Sequence, residues 1–321
     1  MPALSPDELR RRAHALGALQ RPCQLCPRRC LAERERRPGH CQQPETAMVA
    51  IACPHRGEEP ALSGDAGAGT VFVAGCGLSC RYCQNHQISQ RPPKAAWART
   101  EEELAEEFLT LEREGCHNLE WVSPTQHLPV LLSALARARD AGLDLPLVYN
   151  SNGYDRVEVL RLLEGVVDVY LPDAKYSSDD LAQALSGVSD YVAVNRAALA
   201  EMWRQVGPLS LDDRGMARRG LIVRHLVLPG EVANTREVMA WLAREISPQV
   251  CVSLMAQYHP AHELAGSPGP LGRPLRRREY DRAIEALIAA ELDQGWVQER
   301  SSCQRFLPDF EKAEPFAPRR P

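Results

Sequence analysis

No stretch of this sequence stays apolar for long enough to cross a bilayer, which excludes a helical membrane span as an organising element. The first twenty residues, MPALSPDELRRRAHALGALQ, lack the apolar segment of a secretory signal and read as a short amphipathic helix. The chain is therefore expected in the cytoplasm, with no membrane partner. Positive charge is not in excess either. Lys and Arg number 38 against 42 Asp and Glu, a net charge of −4. No basic field argues for a nucleic acid, and none is expected as a partner. What remains is 321 residues that are 44% hydrophobic and 25% charged, enough for one large domain or two ordinary ones with a sizeable core.

Cysteine is plentiful. Eleven cysteines in a chain without a signal point to metal or redox sites in a reducing compartment rather than to a disulfide framework. Cys76, Cys80 and Cys83 follow one another as C-x3-C-x2-C directly after a β-branched, apolar run, Thr70 to Val73. Three thiolates on one short loop can hold three corners of an iron–sulfur cube. No fourth ligand is close by in sequence, so one iron would stay open to a small molecule. The alternative is a structural zinc completed by His86 as a Cys3His site. A second set, Cys23, Cys26, Cys30 and Cys41, supplies four thiolates that suit either zinc or an auxiliary cluster. This set lies in residues 21–69, a segment of little periodicity that needs a metal or the main domain to order it. Cys116, Cys251 and Cys303 stand alone and read as small core residues.

From residue 70 the pattern alternates between strand and helix. Strands are expected at Thr70–Ala74, Leu119–Val122, Leu147–Asn150, Val166–Leu171, Leu221–Leu228 and Val250–Tyr258. Helices are expected at Glu101–Arg113, Leu128–Ala141, Asp155–Leu163 (with Asp155 as N-cap), Asp179–Leu185, Tyr191–Gln205, Asn234–Ile246 and Arg276–Leu292. Six such repeats make an α/β fold, either an open partial barrel or a doubly wound sheet. Both place chemistry at the C-terminal ends of the strands. Polar residues recur there: Ser123 to His127, Asn150 to Asn152, Asp173 and Lys175, Arg224 and His225, and Gln257 to His259. The expected division is a helix and cysteine-rich extension over 1–69, a barrel over 70–300 and a tail over 301–321. Within these, His55, Glu58 and Glu59 read as a turn or an approach to the site. The run LGRPLRRR (271–278) reads as a solvated helix start or a docking patch, and the terminal FAPRRP as a disordered tail.

The cysteine loop, with Tyr82 before its last thiol, resembles the signature of the radical S-adenosylmethionine (SAM) superfamily. The stretches GEEPALSGDAGAGTVFVAGC, CRYCQNHQIS, VSPTQHLP, YNSNGYD, DVYLPDAKY, RHLVLPG and VSLMAQY, with the N-terminal CQLCPRRC, resemble PflX-type proteins, relatives of the pyruvate formate-lyase activating enzymes. The resemblance implies a partial (β/α)6 TIM-like barrel. It implies a [4Fe-4S] cluster on Cys76, Cys80 and Cys83 whose open iron binds SAM, and reductive cleavage of SAM to a 5′-deoxyadenosyl radical that abstracts hydrogen from a substrate. It also implies an electron donor such as flavodoxin or ferredoxin and, by analogy with the activases, a protein or peptide substrate radicalised at glycine. Relatives hold the SAM amino group with a Gly-Gly-Glu-Pro-type segment; here Ser123-Pro124-Thr125 stands in its place, leaving the hydroxyls of Ser123 and Thr125 or backbone carbonyls as acceptors. The same resemblance assigns Asn150 and Asn152 to the ribose, Asp173 and Lys175 to an Asp-x-Lys element, Arg224 to the SAM carboxylate and His259 to the neighbourhood of adenine. The competing reading is a non-enzymatic zinc or iron–sulfur electron-transfer protein.

Overall fold

The computed structural model describes residues 4–299, 307–312 and 314–316; Cys303 and the last five residues lie outside them. Ten strands form one sheet: β1 (Ala47–His55), β2 (Ala68–Val73), β3 (Ala98–Arg99), β4 (Leu119–Val122), β5 (Leu147–Ser151), β6 (Val169–Pro172), β7 (Ser210–Leu211), β8 (Ala217–Leu226), β9 (Cys251–Met255) and β10 (Gly295–Val297). Along the sheet the order is β10-β9-β8-β6-β5-β4-β2-β1-β3, with the hairpin strand β7 beside β8. The six expected strands are β2, β4, β5, β6, β8 and β9. They lie side by side in chain order and all in parallel. This is the α/β partial barrel. Its ends do not meet, because β10 extends one edge in parallel and β1 and β3 extend the other antiparallel.

Strand β1 falls in the segment that lacked a pattern. Its sequence, AMVAIACPH, is apolar at its start and only partly buried from Ala50 onward, so it shows no clean alternation. The helices are α1 (Pro6–Ala18), α2 (Pro60–Ser63), α3 (His86–Ser89), α4 (Glu101–Arg113), α5 (Leu128–Asp140), α6 (Val157–Leu162), α7 (Asp179–Ser186), α8 (Tyr191–Val206), α9 (Val232–Trp241) and α10 (Arg277–Ala289). Helix α4 begins where expected because Thr100 and Glu103 close a reciprocal capping box. Asp155 is not an N-cap: α6 starts two residues later, and the Asp155 carboxylate is buried and accepts from Thr125, Tyr149 and Ser151.

Side chains alternate across each strand. Val71, Trp121, Tyr149, Tyr170, Leu221, Val223, Val252 and Leu254 point outward and pack under the helices in the main core. The other set faces the barrel interior. At the N-terminal end of the barrel Ala61 and Leu62 of α2 pack on Val148, Val169, Ile222 and Cys251, and the Asn118 Nδ2 donates to the Leu62 carbonyl at 2.9 Å. Helix α2 thus closes the floor. Above it the interior turns polar, with Glu120, Asn150 and Arg224 on successive inward positions.

Candidate active site

Strand β2 delivers the chain to Gly75, whose φ of +81° turns it into the cysteine loop. A Cβ at Gly75 would lie 2.3 Å from Gln43 Cγ, so only glycine fits against the N-terminal segment. The loop is held by backbone bonds from Ser79 and Arg81 to the Ser186 and Leu185 carbonyls at the end of α7 (3.2 and 2.9 Å) and by Gln90 Nε2 to the Cys80 carbonyl (2.9 Å). Each thiol has a polar neighbour. Asn152 Nδ2 donates to Cys76 Sγ at 3.1 Å, Ser186 Oγ lies 3.0 Å from Cys80 Sγ, and Ser89 Oγ lies 3.3 Å from Cys83 Sγ. A hydrogen-bonded relay continues behind Cys80, from Ser186 to Tyr176 and on to Tyr82, each step 2.6 Å. Burial pushes the Cys76 and Cys80 thiols up to about 11. They are neutral until a metal draws off their protons.

All three cysteines line one cavity at the C-terminal strand ends, and Ser123, Asn150, Asn152, Asp173, Lys175 and Arg224 line it with them. Six of the eight expected SAM-contact residues therefore converge. Thr125 and His259 do not line it. Thr125 is buried behind the wall, bonded to Asp155 and Tyr149, and His259 is half-buried outside the cavity. His86 is also outside; it stacks on His262 with ring centroids 4.7 Å apart, and its Nδ1 lies 3.1 Å from the Cys83 carbonyl. It is not placed to complete a Cys3His site.

Within the cavity, Lys175 Nζ pairs with Asp173 at 2.5 Å. Burial is the largest single influence and disfavours the ammonium, but Asp173 together with Cys80, Tyr191 and Tyr176 outweighs it, and the Lys175 pKa is raised. Arg224 meets Glu58 at 3.1 Å and Glu59 at 3.3 Å. These two carboxylates precede the floor helix and rise from it into the barrel. Glu120 is buried beside them, accepting from Asn150 Nδ2 at 2.7 Å. Burial raises the pKa of Glu58, Glu59 and Glu120, with Arg224 opposing it. The guanidinium expected at the SAM carboxylate is thus already shared between two protein carboxylates. Sequence reading missed Glu120 altogether; the one signal was a charge inside the otherwise apolar strand LEWV. The far wall is aromatic. Phe316 of the tail packs on His55 and Phe72 at centroid distances of 4.2 and 5.1 Å, so this part of FAPRRP is ordered against the site. Burial, and then the nearby Arg224, lower the His55 pKa to about 4, which keeps this wall neutral at pH 7.

The model of the radical SAM superfamily matches residues 70–242, which span the cysteine loop and the strand ends up to α9. The chain belongs to the radical SAM superfamily. It is also 30% identical over 279 residues, 84% of its length and 75% of the relative's, to an uncharacterized protein of Methanocaldococcus jannaschii. Among solved structures it is similar to Streptococcus suis SuiB bound to SAM (TM-score 0.47, 11% identity, 70% of this chain and 48% of that one). It is likewise similar to a radical SAM methyltransferase, TsrM, of Kitasatospora setae (TM-score 0.44, 16% identity, 75% and 54%). The chain spans about half the length of these two.

Members of the radical SAM superfamily carry a [4Fe-4S] cluster and bind SAM, and the donor set here fits both. Three thiols share one cavity wall. Among the described residues no group of three or more His, Cys, Asp or Glu side chains converges as a single ion requires, so no fourth side chain joins the three thiols around one metal. Three soft thiolates on one wall suit the corners of a cluster. Cys23, Cys26, Cys30 and Cys41 line a second, small cavity with His40, and Gly77 of the cysteine loop forms part of its wall; they too stand short of the convergence that a single ion requires. The ten described cysteines are all free thiols; Cys116 and Cys251 are buried in the core. No helix among the described residues is long and apolar enough to cross a membrane.

Proposed function

We propose that this chain is a PflX-type radical SAM enzyme that abstracts hydrogen from a protein or peptide substrate, in the manner of a glycyl-radical activase. The observation that carries the reading is the convergence of Cys76, Cys80 and Cys83 with the polar ends of five further strands on one cavity. When bound, the cluster and SAM supply an electron that cleaves the S–C5′ bond and a 5′-deoxyadenosyl radical. The chain's own residues do the rest. The three thiolates hold the cluster. Asn152 donates to Cys76 and fixes one corner. Asn150 and Asn152 offer amides to the ribose, and the Ser123 hydroxyl, set by a φ of +52°, offers an acceptor to the ammonium. Asp173 and Lys175 form a neutral pair that hydrogen-bonds polar groups without adding net charge. Phe72 and Phe316 exclude water from the space where a radical must survive.

With this activity go a second thiolate-bound centre, zinc or an auxiliary cluster, at Cys23, Cys26, Cys30 and Cys41, a flavodoxin- or ferredoxin-like electron donor, and a cytoplasmic, reducing location. Anaerobic protein reduced with dithionite in the presence of SAM should release methionine and 5′-deoxyadenosine, and Cys80→Ala should release neither. An intact cluster with no SAM cleavage would leave the electron-transfer reading standing. An activase should also give a persistent glycyl doublet in the EPR spectrum of an acceptor protein; cleavage coupled only to small molecules would remove that role.

A further inference from the structure

The N-terminal cysteine set sits against the back of the loop that carries Cys76, Cys80 and Cys83. Arg28, two residues after Cys26, donates from Nε to the Gly77 carbonyl at 2.5 Å and from Nη2 to the Gly187 carbonyl at 3.1 Å. His40, next to Cys41, meets Ser79 Oγ at 2.9 Å. The side chain of Gln43, tied to the Cys41 carbonyl at 3.0 Å, fills the space left by the missing Cβ of Gly75. A Cβ on Gly77 would reach Cys26 Sγ at 3.8 Å. Gly75, Gly77 and Ser79 lie between or beside Cys76 and Cys80, so three residues of the loop are gripped by groups that do not line the catalytic cavity. The grip is itself under strain. Arg29, Leu31 and Gln42 are non-glycine residues with φ of +39°, +52° and +57°, and each adjoins Cys30 or Cys41. Left-handed backbone at such residues persists only where the surroundings over-determine it. Four thiols lining one small cavity become such a constraint once a metal draws them together.

We propose that the second metal centre, at Cys23, Cys26, Cys30 and Cys41, braces the SAM-cluster loop through Arg28 and His40, so that loading it sets the geometry of the catalytic cluster. This rests on the radical SAM reading. The metal is a thiophilic one, zinc or iron in a cluster, and its role here is mechanical. It orders residues 23–43, and those residues hold the Gly77 carbonyl and the Ser79 hydroxyl in place. Residues that orient a metal's ligands from outside typically matter by about 10- to 100-fold in affinity or activity.

The test uses the full-length, anaerobically reconstituted chain with zinc, iron and sulfide counted per chain, SAM affinity by equilibrium dialysis and EPR of the reduced cluster with and without SAM. The triple variant Cys76→Ala, Cys80→Ala, Cys83→Ala should retain the second centre, as zinc or as iron with sulfide. Cys30→Ala, at an exposed position, should lose it, keep the central cluster, and show an altered EPR signal and SAM affinity weakened about 10- to 100-fold. Arg28→Ala cuts the contact without removing a thiol. It should keep the full metal count and still weaken SAM binding. A triple variant without metal overturns the second centre. Cys30→Ala or Arg28→Ala with wild-type EPR signal and SAM affinity overturns the bracing. Failure of the wild-type protein to bind SAM would instead overturn the radical SAM reading, a result these variants do not mimic.

Discussion

Replacing Arg224 with Met removes the one guanidinium that Glu58 and Glu59 share inside the barrel. The contacts are 3.1 and 3.3 Å, and at an effective dielectric near 20 each has a gross attraction of about 5 kcal/mol. Desolvation of three buried ions offsets much of that, so the attraction is not the net stability. Removing one partner is different, because two carboxylates stay buried without their cation, and such losses run to about 3–5 kcal/mol. The pH dependence identifies the cause. Both carboxylates already have raised pKa values, from burial, and without Arg224 they rise further. For an acid whose folded pKa is raised, the stability contribution is fully present below the unfolded pKa, near 4.3, and is lost as pH rises through the folded pKa. The deficit of Arg224→Met should therefore be largest at neutral and higher pH. It should narrow as pH falls, by up to about 1.4 kcal/mol per pH unit for each carboxylate. Urea midpoints at several pH values, with Glu58→Gln added to the Arg224→Met background, provide the assay. The added Gln should restore part of the loss. A deficit that is independent of pH, or a double variant no more stable than the single one, would refute the claim that unpaired buried carboxylates cause it.

The remaining expectations are more local. Tyr176→Phe cuts the relay from Tyr82 to Ser186 and leaves two buried hydroxyls short of a partner, at a cost of about 1–3 kcal/mol. Since a cluster thiolate can only accept, Ser186 must donate to Cys80, and a weaker donor should move the cluster potential to more negative values in a spectroelectrochemical titration. Gly153→Ala places a Cβ 2.1 Å from the Asp173 carbonyl oxygen at a φ of +70°. It should lower stability by about 2–4 kcal/mol, from left-handed strain plus overpacking, and a thermal melt indistinguishable from wild type would contradict this. Gln87→Ala removes the two bonds that tie Asp309 and Phe310 to α3. Limited proteolysis should then cut the tail faster, with wild-type resistance telling against a docked Phe316.

Features carried by neighbours in sequence are legible from the chain alone. The cysteine loop is eight residues long, and its chemistry needs nothing from elsewhere to be recognised. The six parallel strands show themselves through short apolar runs bounded by polar ends, since a strand covered on both faces has no other way to look. What stays hidden depends on residues far apart. Strand β1 has neighbours on both sides, β2 and β3, but its outer part is half exposed, so its pattern matches neither a core strand nor a solvated loop. Asp155 looks like a helix cap because Asp before an apolar run usually is one; its true donors come from Thr125 and the end of β5, which only the barrel brings near.

The barrel interior shows the same rule acting on function. Glu58 and Arg224 are 166 positions apart, and Glu120 lies between them on a third element. Taken singly, each has an ordinary explanation: a turn, a SAM ligand, a stray charge. Together they put three carboxylates and one guanidinium at the floor of the cavity that the three cysteines line. Asp173 and Lys175 cancel each other beside them, so the floor carries more acid than base if every group is ionised. Burial resists that state most at Glu120, whose pKa is raised well above the usual carboxylate range. An Arg224 side chain that swings toward a bound carboxylate must release Glu58 and Glu59, and those groups then take up protons. Binding of an anionic group at Arg224 is thus linked to proton uptake at the floor, and its affinity should fall as pH rises, whether the anion belongs to SAM or to the substrate.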